Sequence, residues 1–193
     1  MRDLGPIVDQ RGLVEQARKG DHDAFTELVG GSIARLDTAA RLILRDRELA
    51  RDAVQEALIH AWQRLPGLRE PERFDAWLHR LLVNAALDLD RRRRRHVIEV
   101  EIQPIHVPAV SDATSAHADR AQLDEALAHL DPGHRAVVVL HYYLGMPLPE
   151  VANAVGIPLG TAKSRLHYAL AAMRGALFAN ASAAPALSEG GLA

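Results

Sequence analysis

Five consecutive arginines, Arg91 to Arg95, follow a helical stretch whose polar positions Arg80, Asn84 and Asp88 recur at four-residue steps. Guanidinium groups stay charged at any ordinary pH and grip phosphate oxygens through paired hydrogen bonds. Such a run is a phosphate-binding element, an interaction tail or a solvated stretch, and an Asn on the open face of a helix bearing Trp77 leans towards nucleic acid. A second polar stripe, Asp52, Gln55, Glu56 and Gln63, lies opposite an apolar one, and periodicity alone reads it as a solvated helix face. A third group lies near the C-terminal end. There a helical wheel points Gly160, Ser164, His167 and Tyr168 outward, with Thr161, Lys163 and Arg165 at their flanks. Small and polar groups aimed at base edges, with cations beside them for phosphates, are what a DNA-reading helix needs.

Other chemistries are poorly served. The chain has no cysteine, which excludes disulfides, thiolate zinc sites and thiol catalysis. Gly156 to Ser164 superficially matches a phosphate-binding loop, but Thr161 and Ala162 break the contiguous Gly-Lys-Ser/Thr and no strand precedes it. The 10 histidines are dispersed, without a His-x-x-x-His pair, and no Gly-x-Ser-x-Gly turn occurs. Neither a metal, a cofactor nor an enzymatic activity is expected.

These groups must be positioned by helices. Within 193 residues the apolar share is 48% but the aromatic share only 4%, which suits small Ala/Leu/Val helical cores better than a β-sandwich. Periodicity of 3.6 runs from about Gly12 to Arg95, broken at Gly20-Asp21, Gly30-Gly31 and Pro66-Gly67. One helix, Arg47 to Leu65, buries Leu49, Ala53, Val54, Ala57, Leu58, Ala61, Trp62 and Leu65. After a charged loop, Leu68 to Arg73, the next helix runs from about Phe74 to Arg94 and buries Phe74, Trp77, Leu78, Leu81, Leu82, Ala85 and Leu89. From His96 to Asp119 periodicity disappears. Val97 to Ile102 has the composition of a short strand, yet no partner strand is evident and an extended linker is the better reading. Helices return at about Arg120–His129, Gly133–Tyr143, Leu148–Val155 and Gly160–Phe178, the second opened by Asp131-Pro132.

The segment Pro149 to Thr161 fits a helix-turn-helix. Ala152 is small where two helices approach, Gly156 suits a left-handed turn, and Ile157 plugs the space between them. The expected fold is therefore all-α: a helical domain at 12–95, a linker at 96–119, a helix-turn-helix domain at 120–178 and a disordered tail at 179–193. Charge divides with it. Residues 1 to 95 carry 18 basic and 16 acidic side chains, whereas the remainder carry 5 and 9.

Asp52-Ala53-Val54-Gln55-Glu56-Ala57 followed by Trp62 resembles the region 2 core-binding helix of extracytoplasmic-function (ECF) sigma factors, in the sigma-70 family. Phe74-Asp75-Ala76-Trp77-Leu78, then Asn84-Ala85-Ala86-Leu87-Asp88 with the arginine run, is similar to that family's promoter-melting helix. Gly156-Ile157-Pro158-Leu159-Gly160-Thr161-Ala162-Lys163-Ser164-Arg165-Leu166 resembles its region 4 helix-turn-helix. The resemblance spans about residues 12 to 178, with the three motifs in order. It departs at Pro149, at Pro158 where a Ser or Thr cap is usual, and at Ile33 to Leu44, which is poorer in aromatics.

The resemblance implies that Asp52, Gln55, Glu56 and Trp62 lie on or support the surface gripping the β′ subunit of core RNA polymerase. It implies that the loop with Arg69 and Arg73 captures a flipped base of the −10 element, with Arg80, Asn84, Asp88, Arg91 and Arg92 nearby. Gly160, Thr161, Lys163, Ser164, Arg165, His167 and Tyr168 would read the −35 element of promoter DNA, and region 4 would touch the β flap. The acidic linker would thread towards the active-site channel as a nucleic-acid mimic. An anti-sigma factor is an expected partner, since the family usually has one. Two other readings stay open: a stand-alone helix-turn-helix regulator and an adaptor that binds only proteins. Met1 to Pro6 lacks the apolar core of a signal peptide, and no apolar run nears the roughly 20 residues of a membrane span, so a cytoplasmic protein without membrane insertion is expected.

Overall fold

The computed structural model describes residues 9–99 and 115–183. Helix α1 (Gln10–Arg18) and helix α2 (His22–Gly30) form a hairpin; α2 is opened by Asp21, whose side chain accepts from the N–H groups of Asp23 and Ala24. Helix α3 (Ile33–Leu44) leads through Asp46, another side-chain cap, into α4 (Arg47–Arg64). Each such cap satisfies backbone donors that the first turn leaves free and is worth about 1 kcal/mol. Pro66 and Gly67 end α4 in a short 3-10 turn, a second such turn spans Pro71–Arg73, and α5 (Phe74–Glu99) follows. The loop is anchored by its buried Leu68 and Pro71.

The second unit comprises α6 (Ser115–Ala128), α7 (Pro132–Val138), α8 (Leu148–Val155) and α9 (Leu159–Ala183). Asp131 caps α7 by accepting from the His134 N–H, and Val139–Tyr143 continues α7 as a wider π-helical turn. Gly156 has φ 73° and closes α8 in the left-handed conformation expected of it; a Cβ would be strained there.

Helix boundaries differ from expectation at the ends nearest the linker and tail. Helix α5 continues to Glu99, beyond the loss of apolar periodicity at His96, because its backbone pairs along the chain whatever the side chains do. Helix α6 likewise starts at Ser115 and α9 reaches Ala183, so the first residues assigned to a disordered tail are helical. Residues 100–114 and 184–193, and with them the rest of the linker and tail, lie outside the described residues.

Two cores hold the molecule. The smaller joins Ala126, Leu127, Leu130, Val138, Ala169 and Met173 within the second unit. The larger is continuous across both units: Leu36, Ile43, Phe74, Leu78, Leu82 and Val83 join Val137, Leu140, Met146 and Val151. Helix α5 packs on α3 and α4 and, along a further face, on α7 and α8. Val83 and Ala86 are accordingly fully buried although they fall outside the stripe expected from the sequence.

Candidate functional site

Three polar surfaces emerge. On α4, Asp52 and Gln55 are exposed, and Glu56 is half-buried with its carboxylate 3.2 Å from the Arg92 guanidinium. Gln55 also borders an open groove between α3 and α4 with Ile33, Val54, Leu58 and Ile59. Ile33 and Ile59 are 41% and 46% exposed, so this surface is apolar beside its charges, as protein-binding surfaces are at their centres. Trp62 is half-buried. Its ring stacks on His22 at 4.3 Å and meets the edge of Phe25 at 5.1 Å, which ties α2 to α4.

The second surface is the loop and open face of α5. Arg69, Arg73 and Arg80 line one cleft of about 550 Å³ with Leu68 and Trp77. At 100° per residue Asn84 follows Arg80 a turn later on the same face, and it is exposed. Trp77 packs against the buried Phe74 at 5.9 Å, leaving an aromatic flank beside three cations. Such a combination offers an aromatic face for stacking and cations for phosphate pairing.

Arg91 to Arg94 each pair with a carboxylate of the chain. Arg91 pairs with Asp88, Arg93 with Asp46 and Asp90, and Arg94 with Asp90 at 2.8 Å. Asp90 is buried, so its two partners neutralise a carboxylate that water reaches poorly. Arg92 leans to α4 and Glu56, away from the Arg69–Arg73–Arg80 cleft.

The third surface is the start of α9. Ala162, Ala169 and Met173 point inward and are buried, while Gly160, Lys163, Ser164, His167 and Tyr168 are exposed. Thr161 and Arg165 are half-buried. A Cβ on Gly133 would lie 3.2 Å from Arg165 Nη1, so this guanidinium rests against the start of α7. The Ser164 hydroxyl donates to the Thr161 carbonyl at 3.0 Å, and Tyr168, 64% exposed, sets its ring 5.2 Å from His134. His134 in turn contacts Asp131, whose carboxyl burial pushes up but the His134 hydrogen bonds hold below its ordinary value.

Sigma-70 region 2 matches residues 33–96 and sigma-70 region 4 matches residues 120–173. The chain is 36% identical over 165 residues to the RNA polymerase sigma-E factor of Streptomyces coelicolor, covering 86% of this chain and 92% of that protein. It is 37% identical over 132 residues to the ECF RNA polymerase sigma factor SigL of Mycobacterium tuberculosis, covering 67% and 75%. The chain belongs to the sigma-70 family, among the ECF RNA polymerase sigma factors.

Solved structures agree. The sigma factor RpoE of Bartonella quintana, in complex with the anti-sigma factor NepR, superposes with a TM-score of 0.70 at 25% identity over 80% of this chain and 96% of that one. CnrH in complex with the cytosolic domain of CnrY gives 0.64 at 30% identity, over 89% and 98%. Sigma factors are non-enzymatic initiation factors. Among the described residues of this sigma factor no helix is long and apolar enough to cross a membrane.

Three features of this sigma factor escaped the sequence reading. The apolar residues Ile33 and Ile59 beside Gln55 sit on different helices, and only the tertiary fold unites them. His79, on the inward side of α5, is buried, and burial pushes its imidazole below the ordinary value, with Asp75 opposing and Arg35 reinforcing. Arg135 is buried between the units, where its Nε donates to the Ile43 carbonyl at 2.6 Å and its Nη1 to that of Leu130 at 2.7 Å. Nothing in a lone arginine among valines announces such a partner.

Proposed function

We propose that this sigma factor binds core RNA polymerase through the α4 surface, with Asp52, Gln55 and Glu56 meeting cations of β′ and Trp62 holding α4 in place from behind. The loop and α5, through Arg69, Arg73, Arg80 and Asn84, capture an unstacked base of the −10 element. Farther along α5, Arg91 and Arg92 meet the flanking phosphates once Asp88 and Glu56 release them, and Asp88 stays beside them as the carboxylate that holds Arg91 until then. The start of α9 reads the −35 element. Lys163 and Arg165 contact phosphates, Gly160 and Thr161 allow close backbone approach, and Ser164, His167 and Tyr168 face base edges. The domains divide at 12–95 and 120–178, an anti-sigma factor is a further partner, and the protein works in the cytoplasm where polymerase is.

The chain performs no covalent chemistry in this reading. Core polymerase supplies the catalysis, and the sigma factor supplies sequence choice and strand opening. Unstacking a base costs about a few kcal/mol, which stacking and hydrogen bonds in a protein pocket offset. The observation that carries the reading is the coexistence, on one α4–α5 unit, of an acid and apolar docking face and a separate cationic, Trp-flanked cleft. Mixing the full chain with core polymerase and a promoter library, then sequencing run-off transcripts, is the test. Start sites that need both components are expected. A chain that binds DNA as a dimer and starts no transcript with core would be a stand-alone regulator instead.

A further inference from the structure

Helix α9 does not carry its outward side chains alone. It packs on α7, and two residues at the start of that helix, Gly133 and His134, meet side chains of the −35 face. Gly133 is the second residue of α7 and is not among the glycines with positive φ. Its backbone is therefore one that alanine adopts equally well, and with better helix propensity. Space, not conformation, is what a side chain would disturb. A Cβ there would meet Arg165 Nη1 and Asp131 Oδ1, each at 3.2 Å, so the guanidinium uses the room of the missing methyl beside a carboxylate. Arg165 is half-buried, while its neighbours Lys163 and Ser164 are exposed.

His134 is held at both its backbone and its ring. Its backbone N–H donates to Asp131 Oδ1 at 3.0 Å. Its Nδ1–H donates to Oδ2 of the same group at 2.5 Å, since an ionised carboxylate only accepts. The ring so fixed lies 5.2 Å from that of Tyr168 and tilted by 50° to it. An exposed tyrosine without such a neighbour samples several rotamers.

We propose, resting on the reading of α9 as the −35 helix, that Gly133 and His134 are positioning residues of the −35 reader: Gly133 seats the Arg165 guanidinium and His134 sets the Tyr168 ring. Neither needs to touch DNA. They order two long side chains before DNA arrives, so less rotamer freedom is lost on binding. The consequences differ with the group held. Arg165 contacts a phosphate, so its seat governs affinity for every promoter alike. Tyr168 faces a base edge, so its support governs discrimination.

Variants assembled with core polymerase, measured by fluorescence anisotropy on duplex promoters drawn from a −35 library, test this. Gly133→Ala asks only side-chain ends to move by a few tenths of an ångström, so urea unfolding should show the fold intact. It is expected to weaken every promoter by about two- to ten-fold, the worth of one hydrogen bond, and to add nothing on top of Arg165→Ala. His134→Ala is expected to relax preference at the base that Tyr168→Ala affects by about two- to ten-fold, the size of one aromatic pair. In the Tyr168→Ala background it should change nothing further. Wild-type affinity in Gly133→Ala, or a loss that adds fully to that of Arg165→Ala, overturns the seat. Unchanged preference in His134→Ala, or further relaxation on top of Tyr168→Ala, overturns the support. Failure of the α9 reading itself is distinguishable, because Arg165→Ala and Tyr168→Ala would then leave −35 binding as it was.

Discussion

Replacing Arg135 by Met keeps the length of the side chain and removes its donors. Two short bonds disappear, to the Ile43 carbonyl at 2.6 Å and the Leu130 carbonyl at 2.7 Å. A third, to the Leu127 carbonyl at 3.5 Å, is long, and that oxygen keeps the Leu130 N–H. Ile43 is among the last residues of α3, whose terminal carbonyls have no donor within the helix. A hydrogen bond to a charged group contributes about 1.5–3 kcal/mol, so the two short bonds are worth about 3–6 kcal/mol together. Part of this is offset, because burying the cation is itself unfavourable. Burial, reinforced by Arg45, pushes the guanidinium down to about 10. A net loss of about 2–4 kcal/mol is expected, lowering Tm by roughly 5–15 °C for a chain of this size. Arg135→Lys keeps the charge without the fork and should lose about half as much. Urea unfolding followed by far-UV circular dichroism measures both. A loss under about 0.5 kcal/mol for Arg135→Met, the size of a surface substitution, would refute the bridging role.

Three other outcomes follow from the same geometry. Asp52→Arg with Glu56→Arg should cost several kcal/mol of core affinity if these carboxylates meet cations in a buried interface; in a competition assay against wild type, equal affinity rejects the α4 surface. In a −35 library selected in holoenzyme, Lys163→Ala should weaken all promoters alike, while Ser164→Ala or His167→Ala should alter base preference by about 1–3 kcal/mol per contact; the reverse pattern would mean the faces of α9 are exchanged. The imidazole of His79 is held below its ordinary value in the fold, so the unfolded chain gains its proton before the folded one as pH falls through about 6.5, and stability is lost there. His79→Gln should flatten the difference between urea midpoints at pH 5 and pH 7, and an unchanged slope would exclude His79 as its source.

Much of the architecture is written in local pattern. The Asp131-Pro132 start, the left-handed Gly156 and the inward Ala162–Ala169–Met173 row each follow from a rule that acts within a turn or two of chain. The outward residues of α9 are legible for the same reason. The chemistry of the arginine run is less so, since side-chain type says only that cations are present. Its pairing with Asp46 and Glu56 comes from an antiparallel neighbour roughly forty residues away, which no periodicity encodes. The same holds for Val83, Ala86 and Arg135. They are buried because a second unit docks on α3 and α5, and a helix that buries two faces has no single apolar stripe to read.

Promoter melting is the central claim, and permanganate reactivity of thymines upstream of the start site measures it. With core polymerase and this sigma factor together, reactive thymines should appear on duplex promoter, and neither component alone should produce them. Asn84→Ala should lose that reactivity on duplex template and regain transcription on a template already unpaired over the −10 element. A holoenzyme that transcribes without any reactive thymine, or an Asn84→Ala defect that pre-melting leaves untouched, would contradict the account.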